Sequence, residues 1–234
     1  GPETYWTIES SMVKAGESMG FTGQYYSTVA KIDHSEVWYD LWEKEERLVT
    51  ASLIKAFTFS ISQNPISQKR MFNFQEKERI GQLATTLIKN GDHILLDSGT
   101  TTMEIAKNLD KFTDLTIVTN ALNIAEELMK YKRFTVVMLG GHVRINSHST
   151  IGPIALKTLS HFTNYKLFLG IDSFSFENGI STPNMEEAIL NQAMIAQASE
   201  VIAVFDSSKF NKRSFCHIAN AEQIHAIVTD KNIP

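Results

Sequence analysis

From Phe72 onward, short and almost wholly apolar runs alternate with stretches of helical periodicity, and that alternation leaves few folds open. The runs are 93–96, 115–118, 134–139, 166–169, 201–205 and 224–228. A strand that is apolar at nearly every position has no face to offer to water, so both faces must be covered. The stretches between the runs can supply that cover. Ile80, Leu83, Leu87 and Ile88 form one stripe of a helix ending at Asn90-Gly91. Further helices are expected over about 101–109, 121–130 and 185–198. Asn73 and Glu76 have the spacing of a capping box at the head of the first helix. The expected fold class is therefore α/β, a mostly parallel sheet with helices on both faces.

Five small or polar clusters fall just after a run, at Asp97, Thr119, Gly140, Asp172 and Asp206. In open α/β sheets ligands bind beyond that carboxyl edge, and solubility alone does not require so regular a placement. The sharpest cluster is Asp97-Ser98-Gly99-Thr100-Thr101-Thr102, between a strand and a helix. Its hydroxyls and the free amides of a helix start favour an anion such as phosphate or carboxylate. Simple N-capping needs one hydroxyl, not three. The cluster lacks the Lys-Ser/Thr ending of a Walker loop and the spaced glycines of a dinucleotide fingerprint.

Other constellations read two ways. Gly140-Gly141-His142-Val143-Arg144 offers a backbone nest and a guanidinium that could clamp phosphate, or a turn and a surface arginine. Thr119-Asn120 suits a polyol, or simply a turn. Asp172 with Glu186 or Glu187 could act as acid and base on a sugar, or accept hydrogen bonds from its hydroxyls. Lys209, in Asp206-Ser207-Ser208-Lys209, could meet an anion or stand in solvent.

Several chemistries are disfavoured. The seven histidines include no pair at metal-ligand spacing on one helix, and no nucleophile elbow is visible, so neither a metal, a cofactor nor a catalytic triad is expected. The lone cysteine, Cys216, rules out an internal disulfide, reads as a packed thiol rather than a nucleophile, and fits a reducing cytoplasm. No apolar run reaches the ~18 residues of a membrane span, and no signal peptide opens the chain. A net charge of −4 argues against a surface coated for nucleic acid, although a basic patch can hide within the total. Gly1-Pro2 reads as a protease-cleavage remnant and is set aside.

The first seventy residues differ in character. They are rich in aromatic residues (Trp6, Tyr25, Tyr26, Trp38, Tyr39, Trp42) and hold seven basic against nine acidic side chains. A face that lies against DNA phosphates would normally be net positive.

Taken in order, Leu96 to Thr102, Val118 to Leu122, Leu139 to Arg144, Gly152-Pro153 and Phe205 to Phe210 resemble the effector-binding domain of DeoR-family sugar-metabolism repressors. The resemblance runs from about Pro65 to the end. It implies a fold related to ribose-5-phosphate isomerase and glucosamine-6-phosphate deaminase. It also implies a phosphorylated sugar or sugar alcohol as inducer, held by Asp97, Ser98, Gly99, Thr100, Thr101, Thr102, Asn120, Gly140, Gly141, Arg144, Asp172, Glu186 and Lys209. Where relatives carry a lysine after an acidic residue in the helix following Thr-Pro, this chain has Ile189, Asn191 and Met194. That change suits a sensor without turnover, or an altered effector preference.

The family's front end is a winged helix-turn-helix with an Arg-Arg-Asp-Leu recognition helix and a His-Gly-Gly wing exit. Here Trp38-Tyr39-Asp40-Leu41 lacks the arginines and Lys55-Ala56-Phe57 stands where the glycines would be. Residues 1–64 are thus expected to be a degenerate or rebuilt form of that module, and 65–234 the effector domain. Relatives continue past 224–228 with another helix and strand, so the end at Pro234 reads as shortened. The expected function is a cytoplasmic transcriptional repressor and not an enzyme. Its partners would be a sugar phosphate, a second copy of itself, and operator DNA that this front end is poorly equipped to read. The alternatives are a sugar-phosphate isomerase or deaminase, or a sensor that acts through a protein partner.

Overall fold

The structure, a computed structural model, describes residues 66–233, apart from the side chains of Ser67 and Gln68. They belong to one compact unit, Ser60–Pro234. The expected module at 1–64 lies outside the described residues. In chain order the helices are α1 (Ile66–Met71), α2 (Phe74–Ala84), α3 (Thr100–Lys107), α4 (Leu122–Leu128), α5 (Pro153–Leu159) and α6 (Met185–Gln197). The strands are β1 (His93–Leu96), β2 (Thr116–Thr119), β3 (Thr135–Met138), β4 (His142–Arg144), β5 (Ser149–Ile151) and β6 (Tyr165–Gly170). They continue with β7 (Ser173–Ser175), β8 (Gly179–Thr182), β9 (Ala198–Val204), β10 (Cys216–Ala219) and β11 (Ala226–Val228).

Six strands form one sheet in the order β11-β9-β6-β1-β2-β3, and every pairing in it is parallel. Successive side chains on a strand point to opposite faces, so each apolar run feeds two cores. Ile94, Leu96, Ile117, Phe168, Ile202 and Val204 pack with Ile80, Ala84, Ile105, Ala106, Ile124 and Leu128 of α2, α3 and α4. Leu95, Val118, Leu167, Leu169, Val201 and Ala203 pack with Ala155, Leu159, Ala188, Leu190, Met194 and Ile195 of α5 and α6. The expected class, a parallel sheet with helices on both faces, is what the described residues adopt. Two additions went unforeseen: a three-stranded antiparallel sheet, β10-β8-β7, and the β4–β5 hairpin.

The capping box at Asn73 does not form. Asn73 precedes α2 in the left-handed region (φ 50°) and makes no side-chain cap. Its amide instead donates to Asp206 Oδ1 at 2.8 Å. A cap would need Asn73 Oδ1 to accept from the α2 amides, whereas the side chain is anchored through its NH2 on the buried Asp206 carboxylate, a charge-assisted bond.

The strand order places the site. From β1 the chain proceeds outward to β2 and β3, then returns to the other side of β1 for β6, β9 and β11. The order therefore reverses between β1 and β6, and beyond their carboxyl ends lies the crevice where such sheets bind ligands.

Candidate functional site at the strand switch

A cleft of about 100 Å³ opens at that point. Its floor is Ser98, Gly99, Thr100 and Thr101 after β1, with Gly170, Ile171 and Asp172 at the end of β6. Phe205, Asp206 and Lys209 after β9 form one wall, and Arg144, Asn146 and Ser147 of the hairpin form another. Glu187 enters from α6, and Lys69, Phe72 and Lys77 from the α1–α2 region. The two central strand ends approach closely. A Cβ on Gly170 would lie 3.2 Å from the Ser98 carbonyl oxygen and 3.6 Å from Asp97 Oδ2. On the far side, α2 packs so tightly on α3 that a Cβ on Gly81 would lie 2.6 Å from the Glu104 backbone carbon. That contact fixes Lys77 relative to the head of α3.

The charges in the cleft are interlocked. Lys69 Nζ lies 3.0 Å from Asp172 Oδ1, and Thr182 Oγ1 donates to Asp172 Oδ2 at 3.2 Å. Arg144 forms an ion pair with Glu187. Asn184 caps α6 by accepting from the Glu187 amide at 2.9 Å, which sets the direction of that glutamate. Lys77 donates to the carbonyls of Lys69 and Phe72, both at 2.6 Å, and so caps the end of α1. Among the described residues Lys209 has no ion-pair partner.

Burial pushes the Asp97 carboxyl well above the usual range, and the nearby Glu187 and Asp172 charges add to this; the Ser98 and Gly170 amides offset only part. Burial also pushes Asp172 upward, but the charges of Lys69 and Lys209, with hydrogen bonds from Lys69 and Thr182, outweigh it and leave Asp172 below its ordinary value. Glu187 is raised by burial and by Asp172, with Arg144 offsetting part. Lys77 is lowered to about 8, chiefly by burial. With Asp97 held toward its neutral form, the basic groups around the cleft are at least a match for the acids, and the α3 amides add further positive potential.

Of the residues singled out from sequence, the structure gathers Ser98, Gly99, Thr100, Thr101, Arg144, Asp172 and Lys209 around this one cleft. Asp97 lies buried at the end of β1, off the surface. Thr102 is fully buried, and its hydroxyl turns back to the Gly99 carbonyl at 3.1 Å. Asn120 is buried at the end of β2, where its carbonyl accepts from the Thr150 amide at 2.8 Å. Gly140 and Gly141 do not line the cleft. Gly141 (φ 129°) is required by packing, because a Cβ there would lie 2.5 Å from the Ile151 carbonyl oxygen of β5. Glu186 is exposed, one position out of phase on α6, and Glu187 takes the place assigned to it.

Lys69 and Lys77 were missed. The signal for Lys77 was present, since it falls on the same buried stripe of α2 as Ile80, Gly81 and Ala84. A lysine in register with a helix's buried face must find acceptors or a ligand.

Residues 72–231 match the family model described as the DeoR C terminal sensor domain. A putative aga operon transcriptional repressor of Escherichia coli O157:H7 is 39% identical over 169 residues, 72% of this chain and 63% of the relative. The HTH-type transcriptional repressor GlcR of Bacillus subtilis (strain 168) is 34% identical over 157 residues, 67% of this chain and 60% of the relative. The chain thus spans less than two thirds of the length of these relatives. Among solved structures, ribose 5-phosphate isomerase A of Methanocaldococcus jannaschii is similar at 17% identity and a TM-score of 0.44, over 60% of this chain and 56% of the other. The family match takes in the whole parallel sheet, both of its helical layers and all but the first elements of the cleft, and the chain belongs to the DeoR C-terminal sensor-domain family.

Proposed function

We propose that the chain senses a phosphorylated sugar or sugar alcohol in this cleft, as the effector-binding part of a transcriptional repressor of sugar metabolism. The observation that carries the reading is the convergence of the α3 amino end, Ser98 to Thr101, with Lys69, Lys77, Arg144 and Lys209. Free amides and the positive end of a helix favour phosphate, and the surrounding cations add long-range attraction. Asp172 and Glu187 then stand as acceptors for sugar hydroxyls. The two relatives, both named as transcriptional repressors, support the same reading.

An isomerase or deaminase needs a base free to abstract a proton. In this cleft Asp172 is held by Lys69 and Glu187 by Arg144, an arrangement suited to binding hydroxyls rather than to proton transfer. Operator DNA and a homo-oligomeric assembly complete the reading, since operators read by helix-turn-helix proteins are usually symmetric. For the effector to alter DNA affinity it must bind two states of the assembly unequally.

The test is thermal denaturation against a panel of sugar phosphates and their unphosphorylated parents. A ligand at a hundredfold its dissociation constant stabilises by ~2.7 kcal/mol. One phosphate ester is expected to raise Tm, its parent sugar is not, and Thr101→Val should abolish most of the rise. A panel without any shift, or turnover of a sugar phosphate by the purified chain, would defeat the proposal.

A further inference from the structure

We propose that residues 66–77, comprising α1 and its junction with α2, form an effector-clamped strap: Lys69 and Lys77 engage the phosphate, so the ligand itself fastens the segment through which residues 1–65 join the sensor core. The proposal rests on the sugar-phosphate reading of the cleft and goes beyond it by assigning the path of regulation.

The strap owes little to the hydrophobic core. Among the described residues neither core cluster includes a residue of α1, Met71 is 80% exposed and Phe72 is 54% exposed. By contrast α2, immediately after it, buries Ile80 and Ala84. The side-chain bonds that tie this segment down are polar, and they lie at the cleft: Lys69 to Asp172, Asn73 to Asp206, and Lys77 to the carbonyls of Lys69 and Phe72. A second cavity of about 380 Å³ shares Ile66 and Thr100 with the cleft and is lined by Arg70 as well. Helix α1 thus borders two spaces and is held by groups that a ligand can contact.

Charge sets the direction of the effect. The strap contributes two cations to the cleft, and its carboxylate ties belong to the sensor core. A phosphate at the head of α3 brings further negative charge against Lys69 and Lys77. Their attraction to it adds to the existing ties. A fully charged Lys77 also strengthens the two hydrogen bonds that cap α1. The ligand thus holds the strap against the sheet edge, and loss of the ligand loosens it.

Hydrogen exchange on the full chain tests this, with inorganic phosphate as the first probe and the sugar-phosphate panel as the second. Thermal denaturation of the same samples reports occupancy. At about tenfold its dissociation constant, an ion that must leave before the strap opens slows exchange across 66–77 by about tenfold. Lys69→Met should lose most of that slowing while phosphate still raises Tm through the α3 site, and Lys69→Arg should restore it. Phosphate that stabilises the chain and slows exchange in α3, but leaves 66–77 unchanged or faster, overturns the strap and spares the sensor reading. If no probe raises Tm, the sensor reading fails and the strap fails with it.

Discussion

Replacing Gly179 with valine is expected to destabilise the domain by about 2–5 kcal/mol and to weaken effector binding with it. Gly179 opens β8 with φ 64°, a conformation that costs an L-residue ~1–2 kcal/mol. A Cβ would also lie 1.9 Å from the Ala219 carbonyl oxygen and 2.8 Å from the Asn220 Cα. These are backbone atoms of β10 and the turn after it, so relief requires separating β8 from β10, with ~1–3 kcal/mol more for the displaced packing. The damage reaches the cleft because β8 ends at Thr182, which bonds to Asp172, and Pro183, which lines the wall. Urea denaturation should show a lowered midpoint with an unchanged slope. The control is Gly91→Val, where φ is 80° but nothing lies within 4 Å of the new Cβ. If both variants cost the same, the close approach of β10 plays no part and the packing argument is wrong.

The parallel sheet was readable because both of its faces are covered. A run such as Ile94-Leu95-Leu96 has no polar position to blur its limits, and the strand found there is 93–96. The small antiparallel sheet was not readable for the opposite reason. Its strands are three or four residues long, and Ser173, Ser175, Gly179 and Ser181 mask any apolar pattern. Within the site, the residues following β1 were visible because a strand, a turn and a helix start are contiguous in sequence. Lys69 and Asp172 are 103 positions apart, and no local pattern announces that they meet. Glu186 and Glu187 differ by one helical step, about 100° of rotation. Asn184, which caps the helix, determines which of them faces the cleft. At Gly141 the sequence is ambiguous, because a glycine needed for close packing, as here against the Ile151 carbonyl oxygen, and one needed at a ligand have the same appearance.

The second large effect is expected at Asp97, and it grows with pH. Among the described residues the Ser98 and Gly170 amides approach the carboxyl without either oxygen reaching full hydrogen-bond geometry, and the residue is 1% exposed. Burial, reinforced by the Glu187 and Asp172 charges, holds its proton to a pH well above the ordinary carboxylate range. In the unfolded chain the same group ionises near ~3.9. Between that value and the folded one, the folded chain binds more protons than the unfolded chain, so stability falls as pH rises through the interval. Below it both states are protonated and the burden vanishes. Asp97→Asn removes the ionisation while keeping the shape. Its amide brings a fixed cost from unpaired N–H groups, ~1–3 kcal/mol, that does not vary with pH. The difference between the variant and the parent should therefore shift steadily in the variant's favour as the pH rises from about 4 to 7. Urea denaturation of both proteins at the two pH values measures it. A difference that stays constant, or moves toward the parent, would show that Asp97 is ionised in the fold and that a cation or an ordered donor meets it there. A carboxyl kept neutral at the end of β1 also leaves the positive end of α3 unopposed from below. For that reason the Asn variant should retain the response to a sugar phosphate while its stability relative to the parent improves toward neutral pH.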